Sequence, residues 1–186
     1  MKWALVVLSA LLVAGCASSE RFLWEEYTGI GVAAIGTGEY RQAEQFLNRS
    51  LAKAEELGPK ERGISLNGLG ELYRRQGRNE EAERMFLRAL QVKETALGRD
   101  HPDVATTLTN LGLLYVTERR DHEAAPLLER ALAIQEKKLP AKNPAIGRTL
   151  AALAAAYRHL GRGTEAAPLE QRVRVFREQE RKGADR

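Results

Sequence analysis

The chain has 186 residues, enough for one folded domain, and it is rich in Ala, Leu, Glu and Arg, which favour helices. Its formal net charge is +4, and residues 171–186 alone carry six basic and three acidic side chains, so most of the excess lies at the carboxyl end. A nucleic-acid-binding protein would carry a basic stripe along one face, so that class is disfavoured. The single cysteine excludes an internal disulfide.

Residues 1–15 are predicted to be an export signal that is removed from the mature chain. Lys2 supplies a positive charge and residues 3–14 are almost wholly apolar, a stretch shorter than the roughly 20 residues that span a bilayer. Residues 12–16, Leu-Val-Ala-Gly-Cys, resemble the lipobox of bacterial lipoprotein precursors. This resemblance implies cleavage before Cys16, lipid attachment to Cys16 and a lipidated tether over residues 16–21. A signal peptide that ends at a cysteine by chance is the alternative.

The residues after the cysteine bear on the location of the mature chain. Bacterial lipoproteins retained at the inner membrane often carry aspartate after the acylated cysteine, and this chain has Ala17. The resemblance therefore implies a lipid-anchored protein of the bacterial cell envelope, on the periplasmic side of the outer membrane. Phe22, Leu23, Trp24 and Tyr27 open the first helix and are predicted to pack inside the domain, with insertion of Trp24 into the lipid interface as the alternative.

A pattern of residues recurs at a fixed period of 42 from residue 64 onward. Leu69-Gly70 with Tyr73 returns as Leu111-Gly112 with Tyr115, and again as Leu153-Ala154 with Tyr157. A weaker copy lies 39 residues upstream of the first. A period of this size is typical of stacked structural repeats. We therefore predict four repeats, at about residues 22–59, 60–101, 102–143 and 144–180, followed by a charged tail over residues 181–186.

Each repeat is predicted to fold as two antiparallel helices. In the second repeat, apolar residues recur at three- and four-residue steps before and after Gly77, which breaks the chain between the two helices. Asn79 and Asp121 are predicted to cap the second helices of their repeats, and Asn143-Pro144 to begin the first helix of the last repeat. Gly112 is small where two helices must approach closely, so leucine there should overpack the crossing, whereas alanine should be tolerated.

Together these residues resemble the tetratricopeptide repeat. The resemblance is carried by Leu-Gly-x-x-Tyr, an alanine nine residues after the tyrosine, and a bulky apolar residue and a second alanine four and seven residues further on. The 42-residue period resembles the longer kinesin-light-chain variety. This resemblance implies an all-α fold, a right-handed superhelical solenoid of about four antiparallel helix pairs. Ala34 replaces the tyrosine in the first repeat and Glu170 the bulky residue in the last, as expected where an end repeat faces water.

The resemblance also implies a binding surface, because the first helices of such repeats line a concave groove that holds extended or helical peptides. Matching positions repeat by repeat gives a candidate peptide-binding groove of Asn67, Glu71, Arg74, Thr109, Leu113, Val116, Arg148, Ala155 and Arg158. Its centre is apolar, and the arginines at its rim can each hold a carboxylate with two hydrogen bonds. We therefore expect a partner segment with both apolar and acidic residues. The alternatives are that these are solvated helix positions, or that the basic last helix is the binding surface.

No catalytic or metal-binding motif accompanies the repeats. His101, His122 and His159 share no ligand-like spacing, and the sequence has no glycine-rich phosphate loop and no paired catalytic set. We expect a non-enzymatic adaptor, without cofactor, metal or nucleic acid, that holds a partner protein at the bacterial cell envelope through acylated Cys16. The alternative is a structural envelope protein that acts through homo-oligomerisation.

Overall fold

The computed structural model describes the backbone of residues 2–184 and the side chains of residues 19–179 and 181. In that part of the chain every regular element is an α-helix, which confirms the predicted all-α fold class. The helices are α1 (Lys2–Thr37), α2 (Tyr40–Leu57), α3 (Pro59–Arg75), α4 (Asn79–Leu97), α5 (Pro102–Thr117), α6 (Asp121–Lys138), α7 (Pro144–His159) and α8 (Gly163–Ala184). They follow one another as pairs, so α1, α3, α5 and α7 are the first helices of the repeats.

The chain forms two compact units, Met1–Val92 and Lys93–Arg186. In the first unit, α1 packs along α2, and α2 packs along α3. Leu47 of α2 lies at the centre of the core, with no exposed surface. A Cβ placed on Gly31 of α1 would lie 2.7 Å from the Leu47 side chain, and one placed on Gly68 of α3 would lie 2.9 Å from it. The leucine therefore fills a notch in each of the two helices beside it.

In the second unit a glycine likewise makes room for a leucine of the neighbouring helix, between α5 and α6. A Cβ on Gly112 would lie 2.6 Å from both Cγ and Cδ2 of Leu128, which confirms that the two helices approach closely there. Gly70 is placed in the same way against Phe86 in the first unit. The expected tolerance of alanine at Gly112 is wrong, because even one methyl group would overlap the branch point of a buried leucine.

The helix starts depend on prolines and on two side-chain caps. Pro102 and Pro144 begin α5 and α7, where their missing N–H groups are not needed. His101 Nδ1 and Asn143 Oδ1 accept hydrogen bonds from the backbone N–H groups two residues on, which confirms the predicted role of Asn143-Pro144. These bonds satisfy N–H groups that the first turn leaves without a helical partner.

The predicted caps at Asn79 and Asp121 are wrong. Both residues are already the first helical residues of α4 and α6. The position before α6 is held by Arg120, which makes no side-chain capping bond. Asp121 is buried instead, and its Oδ1 lies 2.8 Å from Nδ1 of His159 at the end of α7. A carboxylate that looks like a cap in the sequence therefore links α6 to the next helix.

The turn between the two helices of each repeat has a residue in the left-handed region. Gly38, Gly77 and Gly161 adopt φ values of 79°, 73° and 73° there. The third repeat has Arg119 at this position, with φ of 61°, the one non-glycine residue with positive φ in the described part of the chain. Side chains other than glycine are disfavoured in this region, so the third repeat has a strained turn where the others do not.

A buried hydroxyl recurs where each first helix meets the repeat before it. Ser65 of α3, Thr107 of α5 and Thr149 of α7 are buried and lie 42 residues apart. In the first unit, Ser65 Oγ accepts a 2.9 Å hydrogen bond from Trp24 Nε1 and lies 2.6 Å from Ser50 Oγ. A hydroxyl that is satisfied in this way holds one register between neighbouring repeats, since any shift would leave it buried without a partner.

In the second unit a longer side chain of the preceding repeat reaches Thr107 directly and Thr149 through the hydroxyl of Thr109. Lys93 Nζ donates to Thr107 Oγ1 at 2.9 Å. Gln135 Nε2 donates to Thr109 Oγ1 at 3.4 Å, and Thr109 Oγ1 lies 2.9 Å from Thr149 Oγ1. Lys93 and Gln135 occupy equivalent positions in the second helices, 42 residues apart. The second helix thus supplies a donor that reaches the buried hydroxyls at the next junction.

The amino-terminal part differs from the expectation for a short tether. Residues 16–21 lie within α1, and the side chain of Cys16 lies outside the described residues. Trp24 is 8% exposed and hydrogen-bonded, which confirms that it packs inside the domain, whereas Phe22 is 65% exposed. Among the residues that the structure describes, none of the helices combines the length and the apolarity needed to cross a membrane.

Candidate peptide-binding site

The predicted groove residues of the first unit lie together on α3, half-buried, but their charges are already paired. Arg74 donates two hydrogen bonds of 2.8 Å to the carboxylate of Glu71, and Arg75 donates a third of 2.8 Å. Burial disfavours the charged form of Glu71, but the bonds from the two arginines outweigh it and lower the pKa of the carboxyl. Arg74 is therefore held by its own helix rather than presented to a ligand. Asn67 lies one turn before Glu71 and is half-buried.

Thr109 is wrongly assigned to the groove. Its side chain has no exposed surface. Its Oγ1 donates to the backbone oxygen of Ala105 at 2.9 Å and meets Thr149 and Gln135. It belongs to the buried junction between the third and fourth repeats, because α7 lies directly over this face of α5. Leu113 and Val116, nearer the carboxyl end of α5, remain partly exposed.

The remaining predicted residues of the second unit meet around one cavity. Leu113 and Val116 of α5 and Ala155 of α7 line it, and all three are half-buried. Arg148 of α7 lies at its edge and is exposed. The cavity has a volume of about 480 Å³ and is closed on its third side by α8. Its other lining residues are Pro144, Gly147, Ala151, Ala152, Val173, Phe176 and Arg177.

Sequence reasoning missed the contribution of α8 to this cavity. Phe176 lies over Gly147, where an added Cβ would come within 2.8 Å of the ring. Val173 is buried beside it. Val173 replaces the small alanine of the second and third repeats, a departure visible in the sequence that indicates extra apolar surface on α8. The result is an apolar recess bounded by three helices instead of an open groove.

The arginines near the recess fall into two kinds. Arg158 donates two hydrogen bonds, of 2.6 and 2.8 Å, to Glu170, and these bonds lower the pKa of the Glu170 carboxyl. Its charge is therefore neutralised by α8. Arg148 and Arg177 are exposed, and neither pairs with a carboxylate among the side chains that the structure describes. The recess thus combines an apolar lining with two cations that have no counterion among the described side chains.

A three-residue cluster recurs in the turns and was also missed. The sets are Tyr73–Arg78–Glu81, Tyr115–Arg120–Glu123 and Tyr157–Arg162–Glu165, each 42 residues from the next. Each guanidinium stacks over its tyrosine, with Cζ 4.0–4.2 Å from the ring centroid, and each donates to the glutamate. The period alone could have revealed these sets. They brace the turn and are not free to bind a ligand.

Among the described side chains, no group of three or more His, Cys, Asp or Glu is placed to hold a metal ion. The close contact between the buried carboxylate of Asp121 and the imidazole of His159 joins two helices. An apolar recess with flanking cations is suited to binding a segment of another molecule.

Helix pairs that pack through small glycines and buried hydroxyls, with an apolar recess between α5, α7 and α8, are typical of a helical-repeat protein. Three family models described as tetratricopeptide repeat match residues 28–93, 61–137 and 147–180. Together they cover most of the chain. The chain belongs to the tetratricopeptide repeat family, whose members are typically interaction scaffolds rather than enzymes.

Solved structures agree with this assignment. The crystal structure of BtubC (BKLC) from P. vanneervenii superposes with a TM-score of 0.75 at 23% identity, over 87% of this chain and 66% of BtubC. Two structures of the nearly identical TPR-like repeats of a candidate kinesin light chain from Podosopora anserina have TM-scores of 0.65 and 0.62 at 25% identity. They cover 86% and 84% of this chain, and 76% of each of those chains. No curated protein sequence matches the chain significantly.

Proposed function

We propose that this protein is a lipid-anchored adaptor of the bacterial cell envelope that holds a partner protein by a segment with apolar and acidic residues. The observation that carries the proposal is the recess between α5, α7 and α8, lined by apolar side chains and flanked by Arg148 and Arg177. Tetratricopeptide repeats bind protein partners, which supports a protein segment as the ligand. The lipobox-like residues before Cys16 support the anchor.

The apolar and the charged residues of the recess would contribute differently to binding. Apolar side chains of the partner would displace water from Leu113, Val116 and Phe176, and burial of apolar surface contributes about 25 cal/mol per Å². Acidic residues beside them would meet Arg148 and Arg177. Exposed ion pairs contribute only about 0–1 kcal/mol each, so the arginines chiefly set the association rate and its sensitivity to salt.

A peptide selection tests this proposal. The full chain is used to select from a random library of displayed peptides, and we expect sequences that combine Leu or Phe with Asp or Glu. One selected peptide is then titrated by fluorescence anisotropy. Leu113→Glu should abolish its binding, because a carboxylate would enter the apolar lining. Arg148→Ala should weaken binding about threefold and flatten its dependence on salt.

The paired arginine serves as the matched control. Arg158→Ala removes a charge that Glu170 already neutralises, so we expect almost no change in affinity. Circular dichroism shows whether each variant keeps its helices. Selected peptides without acidic residues, or an unchanged affinity in a folded Leu113→Glu variant, would place the binding surface elsewhere and refute the proposal.

A further inference from the structure

The first helix of the chain has an exposed acid where the other first helices have a buried hydroxyl. The shift of 39 residues between the first two repeats places Glu26 of α1 at the position of Ser65, and thus of Thr107 and Thr149. No repeat precedes α1 in the described structure to cover this position. Glu26 is exposed, as is Glu25 beside it, and neither pairs with a cation among the described side chains. Glu26 is an acceptor without its donor.

The last helix shows the converse arrangement. The period places Arg177 of α8 at the position of Lys93 and Gln135. Those two residues donate to Thr107 and Thr109 at the junctions that follow them. No described helix follows α8, and Arg177 is exposed and forms no ion pair with any carboxylate whose side chain the structure describes. Arg177 is a donor without its acceptor.

The outer face of α1 is also shaped to receive a helix. By the same shift of 39, Gly29 corresponds to Gly68, whose missing side chain makes room for Leu47 of the preceding repeat. Nothing lies within 4 Å of a Cβ placed on Gly29. Phe22, 65% exposed, is on the same face, seven residues earlier. This face has the notch of an internal junction but no neighbour in the described chain.

We propose that α1 of one copy of this protein docks on the α7–α8 end of a second copy, with Glu26 of the first paired with Arg177 of the second. The occupant is a second copy because the chain carries both halves of its own junction, an acid at one end and a base at the other. Charge complementarity extends beyond this pair, since Glu25 is exposed beside Glu26, and Arg174 is exposed beside Arg177. Two copies of α1 facing each other would instead bring these acids together.

The contact is head-to-tail, so each dimer still has one free acidic face and one free basic face. Association therefore continues to larger oligomers as the concentration rises, rather than stopping at two copies. Arg177 also borders the recess proposed to bind a partner, so a docked copy and a partner segment would compete for that arginine. The inference goes beyond the adaptor function and does not require it.

Sedimentation velocity with charge-reversed variants of the full chain tests the contact. We expect the wild-type chain to sediment faster as its concentration increases, and less so at high salt. Glu26→Arg and Arg177→Glu should each weaken association about tenfold or more, because like charges would then meet. An equimolar mixture of the two variants should associate like the wild type, because each junction again has one acid and one base.

Controls separate this contact from other causes of association. Arg88→Glu makes the same charge change at an exposed arginine of α4 that is outside the proposed contact, and it should leave association unchanged. If the wild-type chain stays monomeric at every concentration, the proposal is wrong. If Glu26→Arg acts but Arg177→Glu does not, α1 pairs with something other than α8, and the proposal is equally overturned.

Discussion

Arg119 stands at a turn position that is glycine in the other three repeats. Its backbone has φ of 61° at a position where other repeats have glycine. The left-handed conformation costs a non-glycine residue roughly 1–2 kcal/mol, and part of that would be offset by the greater flexibility of glycine in the unfolded chain. Arg119 is exposed, and its side chain forms no ion pair with the described residues. Its strain therefore has no visible compensation.

We predict that Arg119→Gly stabilises the protein by about 0.5–1 kcal/mol. The relief of backbone strain exceeds the entropy that glycine loses on folding. Chemical denaturation of the full chain measures the change, with Gly77→Ala as the opposite substitution at the equivalent turn. The alanine variant should lose stability. A glycine variant that is less stable than the wild type would show that the arginine side chain makes a contact worth more than the strain.

Predictions for single residues were correct where the spacing along one helix determines which face a residue lies on. The notch at Gly112 follows from its place on the apolar face of α5. They failed where a partner lies far along the chain. Arg158 is neutralised by Glu170 on another helix, and Thr109 is covered by Thr149, 40 residues away. Spacing within one helix does not show which residues of the next helix will lie opposite.

At the scale of helices, α4 and α5 meet through a buried lysine. Lys93 is 3% exposed, and burial lowers its pKa to about 8, against the smaller opposing effect of the Asp103 carboxylate. In the unfolded chain a lysine titrates near its ordinary value of 10.5. Between these two values the unfolded chain binds a proton that the folded chain has released. Stability must therefore rise with pH in that window.

We predict that the free energy of unfolding of the second unit increases from about pH 8 to pH 10 and that Lys93→Met abolishes this increase. Methionine has a similar volume but no charge to desolvate, and the Thr107 hydroxyl keeps its bond to the backbone oxygen of Asp103, so the variant should gain on the order of 1–3 kcal/mol at pH 7. Urea titrations at several pH values measure both effects. An equally steep pH profile in the methionine variant would assign the proton to another group.

The helices themselves were largely predictable, for a physical reason. A period of 42 residues, punctuated by Gly77, Gly161 and the prolines that begin α5 and α7, leaves few ways to place helix ends. The start of α1 was not predictable in this way, because residues 1–21 do not follow the repeat pattern. The recess could not be predicted from the period, because Phe176 and Val173, which close it, belong to the last repeat and depart from the repeated pattern.

At the scale of the whole molecule, the proposed anchor determines where the binding recess can act. We predict that Cys16→Ser releases the protein from the membrane fraction or stalls removal of residues 1–15, because no thiol remains for acylation. Metabolic labelling with an alkyne fatty acid, followed by fractionation, measures this. The wild-type chain should carry the label and the serine variant none. An unlabelled wild-type chain would refute lipid attachment.

The buried hydroxyls at residues 65, 107 and 149 have a consequence for how such a gene can change in length. Because every internal first helix offers a hydroxyl at the same place, the second helix before it needs only a side chain that can reach it. Loss of the 42 codons for residues 102–143 by unequal recombination would bring Lys93 opposite Thr149, a hydroxyl like the Thr107 that it meets now. The new junction would need no further mutation. Recombination could therefore remove or add whole repeats and vary the length of the protein while its junction chemistry is kept.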